Sequence, residues 1–108
     1  MNFNINGNRW NVVFVNIQDA NLRRSDGSYA LGICDNNIKT IFIANNQDDF
    51  MTEHILCHEI THTICFEYNI ELPIYTEEWL CNFMADHGKE IIYILDDLLY
   101  FITKKSVA

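Results

Sequence analysis

At Asp48 the hydrophobic period of this chain changes, and that change decides most of what it can fold into. Before it, apolar and β-branched residues come in short runs between turn signals. These are Phe3-Asn4-Ile5 before Gly7, the run from Trp10 to Val15, Tyr29 to Ile33 after Asp26-Gly27, and Lys39 to Ile43 after Asn36-Asn37. After it, apolar residues recur at helical spacing: Met51, Ile55, Ile60, Ile64 and Tyr68. Beyond Pro73 the same spacing resumes through Leu80, Phe83, Met84, His87, Ile91, Ile94, Leu95, Leu98 and Ile102. Strands followed by helices imply an α+β fold, with about three strands in a small antiparallel sheet and two helices packed against it.

Within that frame the local signals are specific. Phe3-Asn4-Ile5 pairs with the Trp10–Val15 run as a hairpin, and the Lys39–Ile43 strand lies antiparallel to the Tyr29–Ile33 strand. Asp48 or Asp49 caps the first helix and Thr76 the second, whose first turn carries Glu77 and Glu78 where negative charge suits the helix dipole. Gly88 marks a bend or break, and His87, among apolar neighbours, is expected in the core. The Ile91–Ile102 stretch reads first as a buried core helix, and in the alternative as a dimer or partner surface.

Length and charge narrow the function classes. At 108 residues the chain, residues 1–108, forms a single domain, because two cores of half that size would each be marginal. With 15 acidic against 7 basic residues, a net charge of -8, it cannot neutralise phosphates, so no nucleic-acid partner is expected. Met1 to Trp10 has neither the charged nor the apolar region of a secretion signal. The most apolar stretch is interrupted by Asp96 and Asp97 and falls short of the roughly 20 residues a bilayer span needs. A soluble, cytoplasmic protein without a membrane partner is expected. Its four cysteines, Cys34, Cys57, Cys65 and Cys81, are then reduced and mostly small buried hydrophobes.

The chemistry concentrates at His58-Glu59-Ile60-Thr61-His62. Residues four apart on a helix lie about 6 Å apart along its axis, so both imidazoles can meet one metal ion. Glu59 leaves the helix between them and can reach a metal-activated water without ligating the metal. Two histidines and one water leave a zinc ion one ligand short of a tetrahedron. Glu78 is favoured for that ligand because Asn82, four residues on, shares its face and can hold a ligating side chain in orientation. Glu77, nearer the apolar stripe, is the alternative. Cys81 and Ala85 are small enough to let this turn approach the first helix closely. His54 is a further turn away from the pair and cannot join the same tetrahedron. No H-x-E or P-C-x-x-C pattern is present, which excludes a zinc nucleoside deaminase.

With these residues in view the chain resembles the ImmA/IrrE-type zinc metallopeptidases and their small relatives in phages and mobile elements. The resemblance rests on H-E-I-T-H and on E-W-L-C-N-F-M-A. The latter is similar to the family's E-x-x-A-N-x-F-A through Glu78, Cys81, Asn82, Met84 and Ala85, with Cys81 in place of the usual alanine. It extends over Gly32 to Gly88 and includes the upstream G-I-C-D-N-N-I-K-T-I-F-I. It implies a minimal zincin-like domain whose first helix carries His58 and His62 as ligands of Zn2+, Glu59 as general base and Glu78 as third ligand.

The function these residues imply is hydrolysis of peptide bonds in a peptide or protein substrate. Such sites hold the developing oxyanion with a Tyr or His, and Tyr68, Tyr75 and His87 are the candidates. The alternative is a non-catalytic, zinc-stabilised binding protein, a phage or mobile-element factor engaging a host protein. In it the C-terminal helix serves a homodimer or the host partner. An open groove beside Glu59 separates the enzyme from the binder.

Overall fold

The computed structural model describes residues 1–107, with side chains placed through Lys104. Four strands come first: β1 (Asn2–Ile5), β2 (Asn8–Val15), β3 (Gly32–Asp35) and β4 (Thr40–Ala44). Two helices follow, α1 (Asp49–Glu67) and α2 (Ile74–Val107), so the α+β order is as the period change implies. The sheet has four strands rather than three, and it is mixed, in the order β1-β2-β4-β3. The β1–β2 and β3–β4 pairs are antiparallel, whereas β2 and β4 run parallel with Val12 beside Ile41. The physical reason is the inserted central strand. β4 slots between β2 and β3, and all five of its residues are buried. The β3 strand begins at Gly32, not at Tyr29, which makes only an isolated bridge to Arg23.

One face of the sheet carries Trp10, Val12, Ile41 and Ile43, which pack with Ile55 of α1 and with Met51, Leu56 and Ile60. On the other face Leu22, from a short 3-10 turn at Ala20–Leu22, covers Phe42 and Ala44. Burial of these apolar side chains is the main cohesive force. A polar cluster pins the C-terminal end of α1 to the β1–β2 hairpin. The buried Glu67 carboxylate accepts from Trp10 Nε1 at 2.7 Å and from Asn8, and Lys39 Nζ lies 3.0 Å away. Those donors, Asn8 first, hold its pKa below the ordinary carboxylate value.

The helices start and stop for identifiable reasons. Asp48 is the N-cap of α1, its carboxylate accepting from the Met51 amide at 2.7 Å. The second helix starts at Ile74 rather than after Thr76. The Pro73 carbonyl takes the Thr76 and Glu77 amides at 2.9 and 3.0 Å, the first bonds of the helix, so Thr76 lies inside the first turn rather than capping it. No break occurs at Gly88; α2 continues through it as one helix of 34 residues. His87 lies at the surface, 3.2 Å from Glu90, not in the core. The Ile91–Ile102 stretch is likewise no core helix: its residues are about half exposed. Among the described residues no helix is long and apolar enough to cross a membrane.

Candidate metal centre

The site lies where α1 and α2 pack antiparallel. Their contacts step along the two helices in opposite directions: Glu53 with Lys89, His54 with Asp86, Cys57 with the Met84 carbonyl, His58 with Asn82, and His62 with Glu78. Cys81 is fully buried at this seam, and a Cβ added to Gly88 would lie 4.0 Å from the Cys57 sulfur. Small residues on α2 thus allow the close approach.

His58 and His62 stand one turn apart with ring centroids 5.0 Å from each other. Each is oriented through its Nδ1 atom. His62 Nδ1 lies 2.7 Å from a Glu77 oxygen, and His58 Nδ1 lies 2.9 Å from the Asn82 Oδ1. A carboxylate can only accept, so the Glu77 contact calls for a proton on His62 Nδ1, and Nε2 is then the nitrogen left to face a metal. The Asn82 oxygen orients His58 in the same sense. Both Nε2 atoms then face the Glu78 carboxylate, one oxygen each, at 3.2 Å for His58 and 3.0 Å for His62.

That spacing is informative. In a tetrahedron with metal–ligand bonds of 2.0–2.1 Å, neighbouring donors lie about 3.3 Å apart. Two imidazole lone pairs and a carboxylate at this separation repel each other unless a cation or protons lie among them. The donor set present therefore suits a divalent ion. A third group also lies close: the donor atoms of His58, His62 and Cys81 are all within 4.8 Å of one another and could hold a metal ion. Burial, reinforced by the charge on Glu78, pushes the Cys81 thiol up to about 12. A metal bound by this sulfur would have to displace the thiol proton. Glu78, half exposed, presents one oxygen to each imidazole and leaves one side of the site open to solvent.

Glu59 is buried, with Oε1 4.0 Å from His58 Nε2. Burial raises its pKa to about 7; the neighbouring His62 and Arg24 oppose that rise and Glu78 adds to it. Burial likewise lowers the pKa of His58, against the pull of Glu78. Above Glu59 passes β3, one of the two edge strands of the sheet. A cleft of about 320 Å³ opens there, lined by Gly32, Ile33 and Cys34 of β3, by His58, Glu59, His62, Glu77 and Glu78, and by Arg24. A neighbouring cleft of about 260 Å³ shares Gly32, His58 and Glu59 and continues past Leu31 to Met51 and His54. The two clefts extend to either side of Glu59.

The residues named from the sequence divide cleanly. His58, Glu59, His62, Glu78 and Asn82 come together, and Glu77 joins them through the outer nitrogen of His62. His54 stays a turn away, 3.4 Å from Asp86. Tyr68, at the C-cap of α1, Tyr75, 87% exposed, and His87 line neither cleft. Two residues were missed. Gly32 interrupts an apolar strand pattern, which is a signal of close backbone approach. Arg24 had no signal, because its position follows from the Arg23–Tyr29 bridge and the tight turn at Gly27, where φ is 88°. Its guanidinium rests on the Ser28 hydroxyl and the Tyr29 carbonyl, each 3.3 Å away.

No known protein family, curated protein or solved structure matches the chain.

Proposed function

We propose that the chain is a zinc-dependent metallopeptidase. One observation carries the reading: the inner nitrogens of His58 and His62 converge on the two Glu78 oxygens while their outer nitrogens are held by Asn82 and Glu77. Two imidazoles and one carboxylate with an open side make a donor set suited to catalytic zinc. Zinc held there supplies a Lewis acid that acidifies a water and polarises a scissile carbonyl.

The chain's own groups do the rest. Glu59, buried beside His58, accepts a proton from the attacking water and returns it to the departing amine nitrogen. Its raised pKa suits a group that must both take and give a proton near neutrality. The free edge of β3 offers backbone donors and acceptors to an extended peptide, which would lie through both clefts as an added strand. Arg24 is the one cationic side chain lining the larger cleft, and it is the group assigned to the oxyanion in place of Tyr68, Tyr75 or His87.

A non-catalytic binding protein would be favoured by a blocked groove. The cleft continuing to both sides of Glu59 favours hydrolysis. Metal analysis of the purified chain and a peptide-hydrolysis assay test the reading together. The parent should bind one zinc and hydrolyse peptide, Glu59→Gln should bind zinc and be inactive, and His58→Ala should lose the metal. An active Glu59→Gln protein, or a parent that takes up no zinc when it is supplied, overturns it.

A further inference from the structure

The contact pairs between α1 and α2 fix where α1 runs out. His58 meets Asn82 and Glu53 meets Lys89, so the start of α1 at Asp49 falls opposite the region of Ile91. From there α2 continues beyond the α+β body, and the molecule measures 60 Å along its longest axis against 32 and 26 Å across. This projecting part is where the helix is most apolar. Exposure runs from 47% at Leu95 to 65% at Phe101.

The apolar residues are not scattered. Met84, Gly88, Ile91, Leu95, Leu98 and Ile102 alternate in steps of four and three, the seam of a left-handed helix pair. The positions flanking that seam, Ile92 and Leu99 on one side and Ile94 and Phe101 on the other, are also apolar. Charged and hydroxylated residues, including Asp96, Asp97, Tyr93, Tyr100 and Lys104, fall on the opposite side. In paired helices the flanking positions usually carry the charges that forbid or select a partner. Here nothing at them opposes a second identical helix.

We infer that this face is the interface of a homodimer, in which the α2 extensions of two copies pair antiparallel. The area suffices. The seven apolar side chains of the seam and flanks between Ile91 and Phe101 expose about 800 Å² per chain, and burying two-thirds of it on both copies removes about 1,100 Å², just above the roughly 1,000 Å² that a specific interface needs. Antiparallel register sets Leu95 of one copy against Leu98 of the other. It also sends the two α+β bodies to opposite ends, whereas a parallel pair would bring two chains of net charge -8 side by side. A lipid surface fits less well, because helices that lie on membranes are rich in Lys and Arg on the polar face, and this one sets Asp96 and Asp97 against Lys104 there. An isolated extension of this length is marginal as a helix in water, and pairing supplies the packing that stabilises it.

Sedimentation equilibrium of the full chain tests this. The parent should have twice the 12.7 kDa mass of the chain. Leu98→Glu should weaken association by more than about 30-fold, as for a central interface anchor, while circular dichroism shows the body still folded. The double variant Leu95→Lys with Leu98→Glu should recover the dimer, because antiparallel register sets each introduced lysine against the introduced glutamate of the other copy. A parent that stays at 12.7 kDa at 100 μM protein, within about that concentration range of weak dimers, overturns the proposal, and so does a monomer that sediments with phosphatidylglycerol vesicles. A double variant no better associated than Leu98→Glu overturns the antiparallel arrangement.

Discussion

Gly32 of β3 lies against Glu59 so closely that a Cβ on the glycine would sit 3.1 Å from the Glu59 Cγ and 2.5 Å from the Ile55 Cγ2. The second distance is shorter than real Cβ contacts, so the Ile55 side chain or the strand above it would have to shift. Gly32→Ala should therefore cost about 1–3 kcal/mol of stability by overpacking. Because the added Cβ also crowds Glu59, activity should fall further than stability alone explains. Denaturant unfolding and peptide-hydrolysis rates, measured on the same protein, check both halves.

Glu77 and Glu78 are neighbours in sequence with different tasks. Glu78 faces the inner nitrogens of both histidines, and Glu77 takes only the outer nitrogen of His62. Glu78→Ala should abolish tight zinc binding. Glu77→Gln and Asn82→Ala should each weaken it by about 10–100-fold, the usual effect of losing a group that orients a ligand. Cys81→Ala should leave affinity within a few-fold of the parent if Glu78, which faces both inner nitrogens, is the third ligand. Zinc titration against a competing chelator ranks the four. Loss of binding in Cys81→Ala with retention in Glu78→Ala would move the third ligand to the sulfur.

How far this arrangement could be read from the sequence depends on which physical signal each part leaves. The first helix was legible because an Asp48 cap, a single period and the His58-Glu59-His62 spacing all point the same way. The choice of Glu78 over Glu77 came from its spacing to Asn82, although adjacent helical residues are only about 100° apart and both can reach the site. The parallel pairing of β2 with β4 left no trace, since alternation reveals that a strand exists but not which strand lies beside it. The end of α2 misled for a similar reason. An apolar stripe has the same sequence whether the body of the same chain covers it or another molecule does, and only the point where α1 stops distinguishes the two.

Protonation of Glu59 should be visible in the metal-free protein. Its folded pKa is raised to about 7 from an ordinary 4.5, so the folded state holds its proton more tightly than the unfolded chain does. Glu59 therefore costs nothing below pH 4, and its cost grows through the window from 4.5 to 7. At one pKa unit per 1.36 kcal/mol the full cost is about 3 kcal/mol. The lowered pKa of His58 gives a slope of opposite sign, stability rising with pH, so the parent alone mixes the two. Glu59→Gln separates them: its stability advantage over the parent should grow by about 3 kcal/mol between pH 4 and pH 8. Chemical unfolding at a series of pH values in the presence of chelator measures it, and a constant difference would mean that Glu59 ionises normally.

Arg24 gives the sharpest test of how the cleft works. It sits on an irregular segment, held by the Ser28 hydroxyl and the Tyr29 carbonyl, and it lines the cleft together with Glu59 and the two histidines. A guanidinium that stabilises charge appearing only in the transition state contributes to turnover and not to ground-state binding. Arg24→Gln should accordingly lower kcat by about 100-fold or more with KM changed little, the size of effect seen when one oxyanion donor is removed. Zinc content should be unaffected, because Arg24 touches neither histidine's hydrogen-bond partner. If KM rises instead while kcat holds, the arginine binds a carboxylate of the substrate, and the oxyanion must be met by another group in the same cleft.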